Sequence, residues 1–490
     1  MKSFFLLSAT FSIILSSTYV HASSLSVFDQ KTHVVRHSDL KHSFCYAQES
    51  NGQLVFEGRN AKEKVRLASV SKLLTTYWSV GVLGLDYRFK TKFQYNPRTK
   101  DLHITGSRDP FFGRRSFFYI MSELNRLGIT EINKLTFDQA VTFFPAVEEK
   151  STHHTSIGVT GGLTVGSVKN NLANIMNTSS WDKAQHDRYN KFKEEAKDED
   201  LSVSSKLKMS VQAVEYVRSE TYQSESGSVV YQFMSAPLYS YLKEMNKYSL
   251  NYTADELYKV LGGRNAFKKY VEQDLGLGAQ DLEIYTGSGL PDEINNERFD
   301  NEASCESVVR VIQSISQKLK NYNSESRNQF QLKDIMLVAG VDDGTIGGSY
   351  QAPGVRGSMV AKTGTINQAI TLAGALSTKE GKVYFGVFWQ IPGPGDRFAA
   401  RAARDSVVLT LIRDFGGGVP LSYSPKTFTP FDYHSSLKEN ESSQMGMFSF
   451  NRIFTEAEPA IDLDLNGLNE NTPKDYKSND IPDVDELGLL

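Results

Sequence analysis

Residues 66–76 read Arg-Leu-Ala-Ser-Val-Ser-Lys-Leu-Leu-Thr-Thr, and from there Val70, Leu73, Leu74, Tyr77 and Trp78 fall at helical spacing. Ser69 therefore opens a helix with one apolar face, and Lys72 projects beside it, three residues on. A serine hydroxyl is a weak nucleophile at its own pKa and needs an adjacent base; a lysine serves when burial or another cation lowers its pKa. The helix N-terminus adds its dipole where negative charge develops during acyl transfer. Alone, Ser-x-x-Lys recurs by chance in many chains. Two later stretches give it weight. Ser249-Leu250-Asn251 lies between helical stretches at 240–247 and 255–261, and Lys362-Thr363-Gly364-Thr365 lies inside a strand, where Gly364 permits close approach of a ligand backbone.

Working outward, residues 43–59 are two extended runs around Asn51-Gly52, the pair best suited to a tight hairpin turn. Residues 358–365, 370–378 and 382–390 read as three more strands, and 396–415 as a helix stopped by Gly416-Gly417-Gly418. Strands and helices at both ends of the chain imply a single sheet built from both termini. The expected organisation is thus a discontinuous α/β (α+β) domain, 23–85 with 232–426, in which an antiparallel sheet is flanked by helices, interrupted by a large β-rich insertion at 86–231. Within the insertion, 102–106 and 134–138 are strand-like and 116–127 helix-like, while the mixed-sign charge run at 183–200 reads as a solvated helix face or loop. Residues 456–490 carry ten acidic residues against two basic ones, so a disordered acidic tail is expected, taken to start at 427.

Lys and Arg number 54 against 57 Asp and Glu, which leaves no global positive field for nucleic acid. Two cysteines, Cys45 and Cys305, exclude a disulfide framework or a cysteine-rich metal site, and the sequence leaves open whether they pair. The first 22 residues have a basic start, an apolar run at 4–15 and small residues before Ser23, the pattern of a cleaved secretory signal peptide. That run is shorter than the ~20 residues a membrane-spanning helix needs, so no transmembrane segment is expected after cleavage near Ala22.

The three motifs together are the set shared by class A β-lactamases and penicillin-binding proteins. Most of the mature chain resembles the class C low-molecular-mass penicillin-binding proteins, the D-alanyl-D-alanine carboxypeptidase/endopeptidase family. The resemblance extends to YTGSGLP at 285–291, VAGVDDGTIGG at 338–348 and the long insertion between the first two motifs. It implies a penicillin-binding transpeptidase-like fold and a periplasmic enzyme that cuts peptidoglycan stem peptides. β-Lactams would be covalent inhibitors, and no cofactor or metal is implied. By the same resemblance Ser69 is the nucleophile and Lys72 the general base. Ser249 relays a proton to the leaving amine, Asn251 orients it, and Lys362 tunes its neighbours and attracts the substrate carboxylate. Thr363, Gly364 and Thr365 bind substrate, Thr363 and Thr365 by hydrogen bonds to that carboxylate, and the backbone N–H groups of Ser69 and Thr365 form the oxyanion hole. The rival readings are a secreted serine β-lactamase or esterase, and a catalytically silent wall-binding homologue.

The chain departs from the family pattern in places. Leu250 stands where aspartate is common, and Thr286 precedes Gly287-Ser288-Gly289 where aspartate is frequent, as part of a turn under the site. Residues 151–177, with His153 and His154, align with no family pattern, and no further ligand follows those histidines at metal spacing. Glu148 and Glu149 are the acids first suspected of meeting an ammonium group on the stem peptide.

Overall fold

A computed structural model describes residues 23–32, 40–50, 53–145, 147, 164–326 and 328–439. Strands Ser43–Ser50 and Gln53–Arg59 pair antiparallel with Ser50 opposite Gln53, as the sequence pattern requires; the Asn51-Gly52 turn itself lies outside the described residues. They form one edge of a six-stranded antiparallel sheet that continues through Gly381–Gln390, Ala369–Thr378, Met359–Ile366 and the short Leu337–Val338.

Alternation along Ser43–Ser50 sends its side chains to two different layers. Phe44 joins Phe28, Trp389, Val407 and Leu411 on one face, beneath helices Ser24–Thr32 and Arg397–Asp414. Cys45 and Ala47 join Leu73, Val308 and Ile312 on the other, beneath Ser71–Val82 and Cys305–Glu325. The central strands Ala369–Thr378 and Gly381–Gln390 are covered on both sides, which explains their nearly unbroken apolar runs. Helix Ser24–Thr32 starts just past the expected cleavage position; Phe28 stacks on Trp389 at 4.9 Å, and the Ser24 amide donates to Asp414 Oδ2 at 2.7 Å.

The pairing the sequence left open is made: Cys45 and Cys305 form a disulfide with their Cα atoms 5.9 Å apart. Gly386 lies opposite Cys45 in the sheet, and a Cβ there would come within 3.0 Å of Cys305 Sγ. Glycine at 386 leaves that space for the bridge.

A second six-stranded sheet runs in the order Lys438–Glu439, Val229–Met234, Lys90–Asn96, Asp101–Thr105, Glu131–Phe137, Ser210–Tyr216. Its last two pairings are parallel. Parallel neighbours need crossovers, and helices Arg114–Arg126, Val165–Met176 and Lys183–Asp198 occupy the connections and pack with the sheet in one apolar core. The charge run is the last of these, a helix that buries Tyr189, Phe192 and Ala196 and leaves its charged face to water. Strands Lys90–Asn96 and Val229–Met234 are direct antiparallel neighbours, Lys90 opposite Met234. Just outside them in sequence, the Leu238 amide donates to the Tyr87 carbonyl at 2.8 Å and the Tyr239 amide to that of Leu85 at 3.1 Å.

The expectation of a tail from 427 onward is corrected by residues 427–439. Phe431 and Leu437 are buried in the second core, Phe431 stacks on Tyr119 at 4.8 Å, Asp432 pairs with Arg88 at 2.7 Å, and Lys438–Glu439 adds an edge strand. The acidic run begins only at Glu456, so composition there says nothing about this apolar-anchored stretch. Residues 440–490 lie outside the described residues. Among the described residues no helix is long and apolar enough to cross a membrane.

Candidate active site

Ser69 sits in a single 3-10 turn, Ala68–Val70, that feeds helix Ser71–Val82. Ala68 immediately before it has a left-handed backbone, φ +48°. The turn is packed from two sides by glycines. A Cβ on Gly364 would lie 2.2 Å from Thr371 Oγ1 and 2.7 Å from the Leu67 carbonyl oxygen. Gly364, expected to admit a ligand backbone, therefore lets its strand lie flush against the protein's own nucleophile turn. Thr371 Oγ1 donates to that same Leu67 carbonyl at 2.8 Å.

Lys72 is fully buried and its amine has three partners: Ser69 Oγ at 3.1 Å, Asn251 Oδ1 at 2.7 Å and the Ser288 carbonyl at 2.8 Å. Burial pushes its pKa down to about 7, against the opposing pull of the Asp255 carboxylate. A neutral amine has two N–H bonds and one lone pair. With Asn251 and Ser288 accepting the two hydrogens, the lone pair is left facing the Ser69 hydroxyl.

Helix Leu238–Tyr248 ends at Ser249, whose left-handed backbone, φ +60°, turns the chain into helix Asn251–Val260. Asn251 thereby opens its helix with the side chain against Lys72. Leu250 between them is buried in the apolar core, so an aspartate there would have been stranded without water. Among the described residues no hydrogen bond joins the Ser249 hydroxyl to Ser69 or Lys72. Lys362, on strand Met359–Ile366, donates to the Thr363 carbonyl at 2.8 Å, and burial first, then the charge of Lys72, hold it well below the usual lysine range. The sequence pattern suggested that Lys362 helps to depress Lys72; burial of Lys72 itself is what lowers it.

Thr363 and Thr365 are half-buried. Leu337–Val338 pairs only with Ala361 and Val360, so among the described residues no strand covers the outer edge of the Lys362–Thr365 stretch. Thr363 Oγ1 donates to Thr345 Oγ1 at 2.9 Å, which brings the 338–348 stretch to the same edge.

Three participants were not singled out from sequence: Thr345, Ser288 and Asp255. Asp255 lies four residues after Asn251, one helical turn along the same face, and that spacing was the available signal. Its Oδ1 accepts the Ser288 amide at 2.8 Å, and burial raises its pKa to about 6 despite the nearby Lys72. Thr286 is the turn residue expected: its Oγ1 donates to the Leu290 carbonyl at 2.7 Å and accepts the Gly289 amide at 3.2 Å. The next residue of the second-motif helix, Glu256, is gripped by Arg108 of the insertion at 2.6 Å. Glu148, Glu149, His153 and His154 lie outside the described residues.

A hydroxyl beside a buried, depressed lysine, with an asparagine and a second buried lysine around them, can carry out acyl transfer. The D-Ala-D-Ala carboxypeptidase 3 (S13) family model matches residues 40–154 and 191–413. The chain belongs to this family. It is a serine-type peptidase with the fold of the penicillin-binding enzymes. The predatory peptidoglycan endopeptidase Bd3459 from Bdellovibrio bacteriovorus is 34% identical, with a TM-score of 0.72 over 82% of this chain and 100% of that one. A penicillin G-acylated form of Bd3459, in complex with immunity protein Bd3460, matches at 34% identity and TM-score 0.68 over 81% and 99%. Penicillin-binding protein 4 from Haemophilus influenzae, at 16% identity and TM-score 0.53 over 78% and 99%, shares the fold. No curated protein matches the chain at a significant level.

Proposed function

We propose that this S13 peptidase cleaves the D-Ala-D-Ala bond of peptidoglycan stem peptides, and the D-Ala crosslinks between them, through an acyl-enzyme on Ser69. The observation that carries this reading is the Lys72 amine, with two acceptors fixing its hydrogens and Ser69 Oγ 3.1 Å away. Lys72 takes the Ser69 proton as the hydroxyl attacks the carbonyl of the penultimate D-Ala. Ser249 passes the proton that Lys72 took on to the departing amine, which leaves Lys72 neutral again, and Asn251 holds both Lys72 and the substrate amide. The uncovered strand edge at Lys362, Thr363, Gly364 and Thr365 receives the extended peptide as an added strand, with the two threonines on its carboxylate. Water then releases the acyl group. A penicillin offers the same carbonyl and carboxylate, so it acylates Ser69 as penicillin G acylates Bd3459.

The division into a catalytic domain at 23–85 and 232–426 and an insertion at 86–231 is part of this reading, supported by the core that the second sheet and its helices pack for themselves, although Phe89 and Phe111 reach into the core beneath the first sheet. So is a periplasmic location: the leader pattern favours export, and a disulfide between buried cysteines suits an oxidising compartment.

Digestion of purified monomeric pentapeptide and crosslinked muropeptides, followed by chromatography, tests the substrate. Loss of terminal D-alanine and disappearance of dimers are expected. Intact dimers would leave a carboxypeptidase alone, and β-lactam turnover without D-alanine release would favour the β-lactamase reading.

A further inference from the structure

Asp255 is a buried carboxylate with no part in the three motifs, and it stands directly behind the base. Its Oδ1 holds the Ser288 amide at 2.8 Å, and the Ser288 carbonyl receives a hydrogen from Lys72 at 2.8 Å. Thr75 Oγ1 pins the preceding Gly287 carbonyl at 2.8 Å, so the peptide between carboxylate and amine is fixed at both ends. We propose that Asp255 is a positioning residue for acylation: it sets the Ser288 peptide against Lys72 and supplies the counter-charge when Lys72 takes the proton of Ser69. The inference rests on the reading of Lys72 as the base.

The charges around the pair are few. Lys362 faces Lys72 from the strand side, and Lys259 faces Asp255 from its own helix. Glu256 points elsewhere, bound to Arg108 at 2.6 Å and Lys259 at 3.0 Å. Among the described residues, Asp255 is therefore the carboxylate whose field raises the pKa of Lys72. In a site this dry an ammonium formed without that charge would be strongly disfavoured. A role limited to packing would act on stability and on the height of the rate profile, without moving the pH at which the base deprotonates.

The test is the rate of Ser69 acylation by a fluorescent penicillin across about pH 5–9, for wild type, Asp255→Asn and Asp255→Glu. Asparagine keeps an acceptor for the Ser288 amide and removes the charge. Its acid limb is expected about one pH unit below wild type, with a lower plateau. Glutamate keeps the charge but displaces the peptide, so its limb stays at the wild-type position while the plateau falls. An unshifted limb in Asp255→Asn, or a limb in Asp255→Glu that moves as far as one unit, overturns the proposal. If Asp255→Asn lacks the wild-type melting transition, the glutamate profile alone decides on the same criterion. Failure of the wild-type protein to form a Ser69 adduct would instead strike the base assignment on which this rests.

Discussion

Gly289 lies so close beneath Ala68 that a Cβ added to it would stand 1.9 Å from the Ala68 carbonyl oxygen, and its backbone is left-handed at φ +84°. Ala68 is itself left-handed, a costly conformation for a residue with a Cβ, and carries Ser69 as its next residue, so Gly289 supports the strained position from beneath. Gly289→Ala has to displace backbone rather than a flexible side chain. A stability loss of about 3 kcal/mol is expected, with acylation slowed by about 100-fold as Ser69 shifts. Thermal melting and penicillin labelling of the same preparation check both; wild-type values in each would show that the contact is not tight.

The nucleophile assignment is tested by peptide mapping of the penicillin adduct. It should fall on the fragment containing Ser69 and vanish in Ser69→Ala, since that change removes only a hydroxyl from a turn held by Gly289 and Gly364. An adduct of undiminished yield in the variant would place the nucleophile elsewhere.

The base should show itself in the pH dependence of acylation. Lys72 is held down to about 7, so the neutral, proton-accepting form grows as pH rises through that value, and acylation should climb with it and level off above. Lys72→Arg leaves a guanidinium that cannot lose its proton, and acylation should fall by at least about 100-fold with the fold retained. An arginine variant acylating near the wild-type rate would remove Lys72 from the mechanism.

The Cys45–Cys305 bridge closes a loop of 260 residues between a sheet strand and the start of helix Cys305–Glu325. Replacing both cysteines by alanine should cost about 3–5 kcal/mol, most of it through the greater freedom of the unfolded chain. Non-reducing peptide mapping should show the linked pair, and the melting temperature of the double variant should drop. A variant as stable as wild type would mean that the bridge adds nothing to packing already present.

What the sequence revealed was local. Ser69 and Lys72 share one turn, Ser249 and Asn251 flank one helix junction, and Lys362 to Thr365 form one strand, so each motif shows as a short local pattern, while the roles expected of its residues came from the resemblance to the penicillin-binding family. The strands at 43–59 and 358–390 were legible because turn residues and apolar runs mark their ends. Contacts made across the chain were not legible. The Cys45–Cys305 pairing depends on Gly386 opposite Cys45, and the part played by Gly364 depends on Leu67, almost 300 positions earlier. Asp255 was overlooked because a lone acid on a helix reads as a solvated one until its burial is seen. Phe428, Phe431 and Leu437 were absorbed into the tail because the strong acidity further on dominated the reading of that whole end.

The pairing of Lys90–Asn96 with Val229–Met234 has a consequence for how this enzyme can change. The chain leaves the catalytic sheet layer and comes back to it at adjacent points, with Leu85 and Tyr87 hydrogen-bonded to Tyr239 and Leu238. The stretch between them is therefore held at its two ends as a hairpin loop is, and a change in its length need not pull those ends apart. The ties that resist exchange include the clasp of Arg108 on Glu256 and a buried plug, where Phe111 packs on Tyr241 at 4.6 Å and Asp109 Oδ2 accepts the Tyr241 hydroxyl at 3.2 Å. A change there leaves the residues around Ser69 on their own helices and strand, provided the newcomer fills the place of Phe111 against Tyr241; Glu256 keeps Lys259 as a partner even without Arg108.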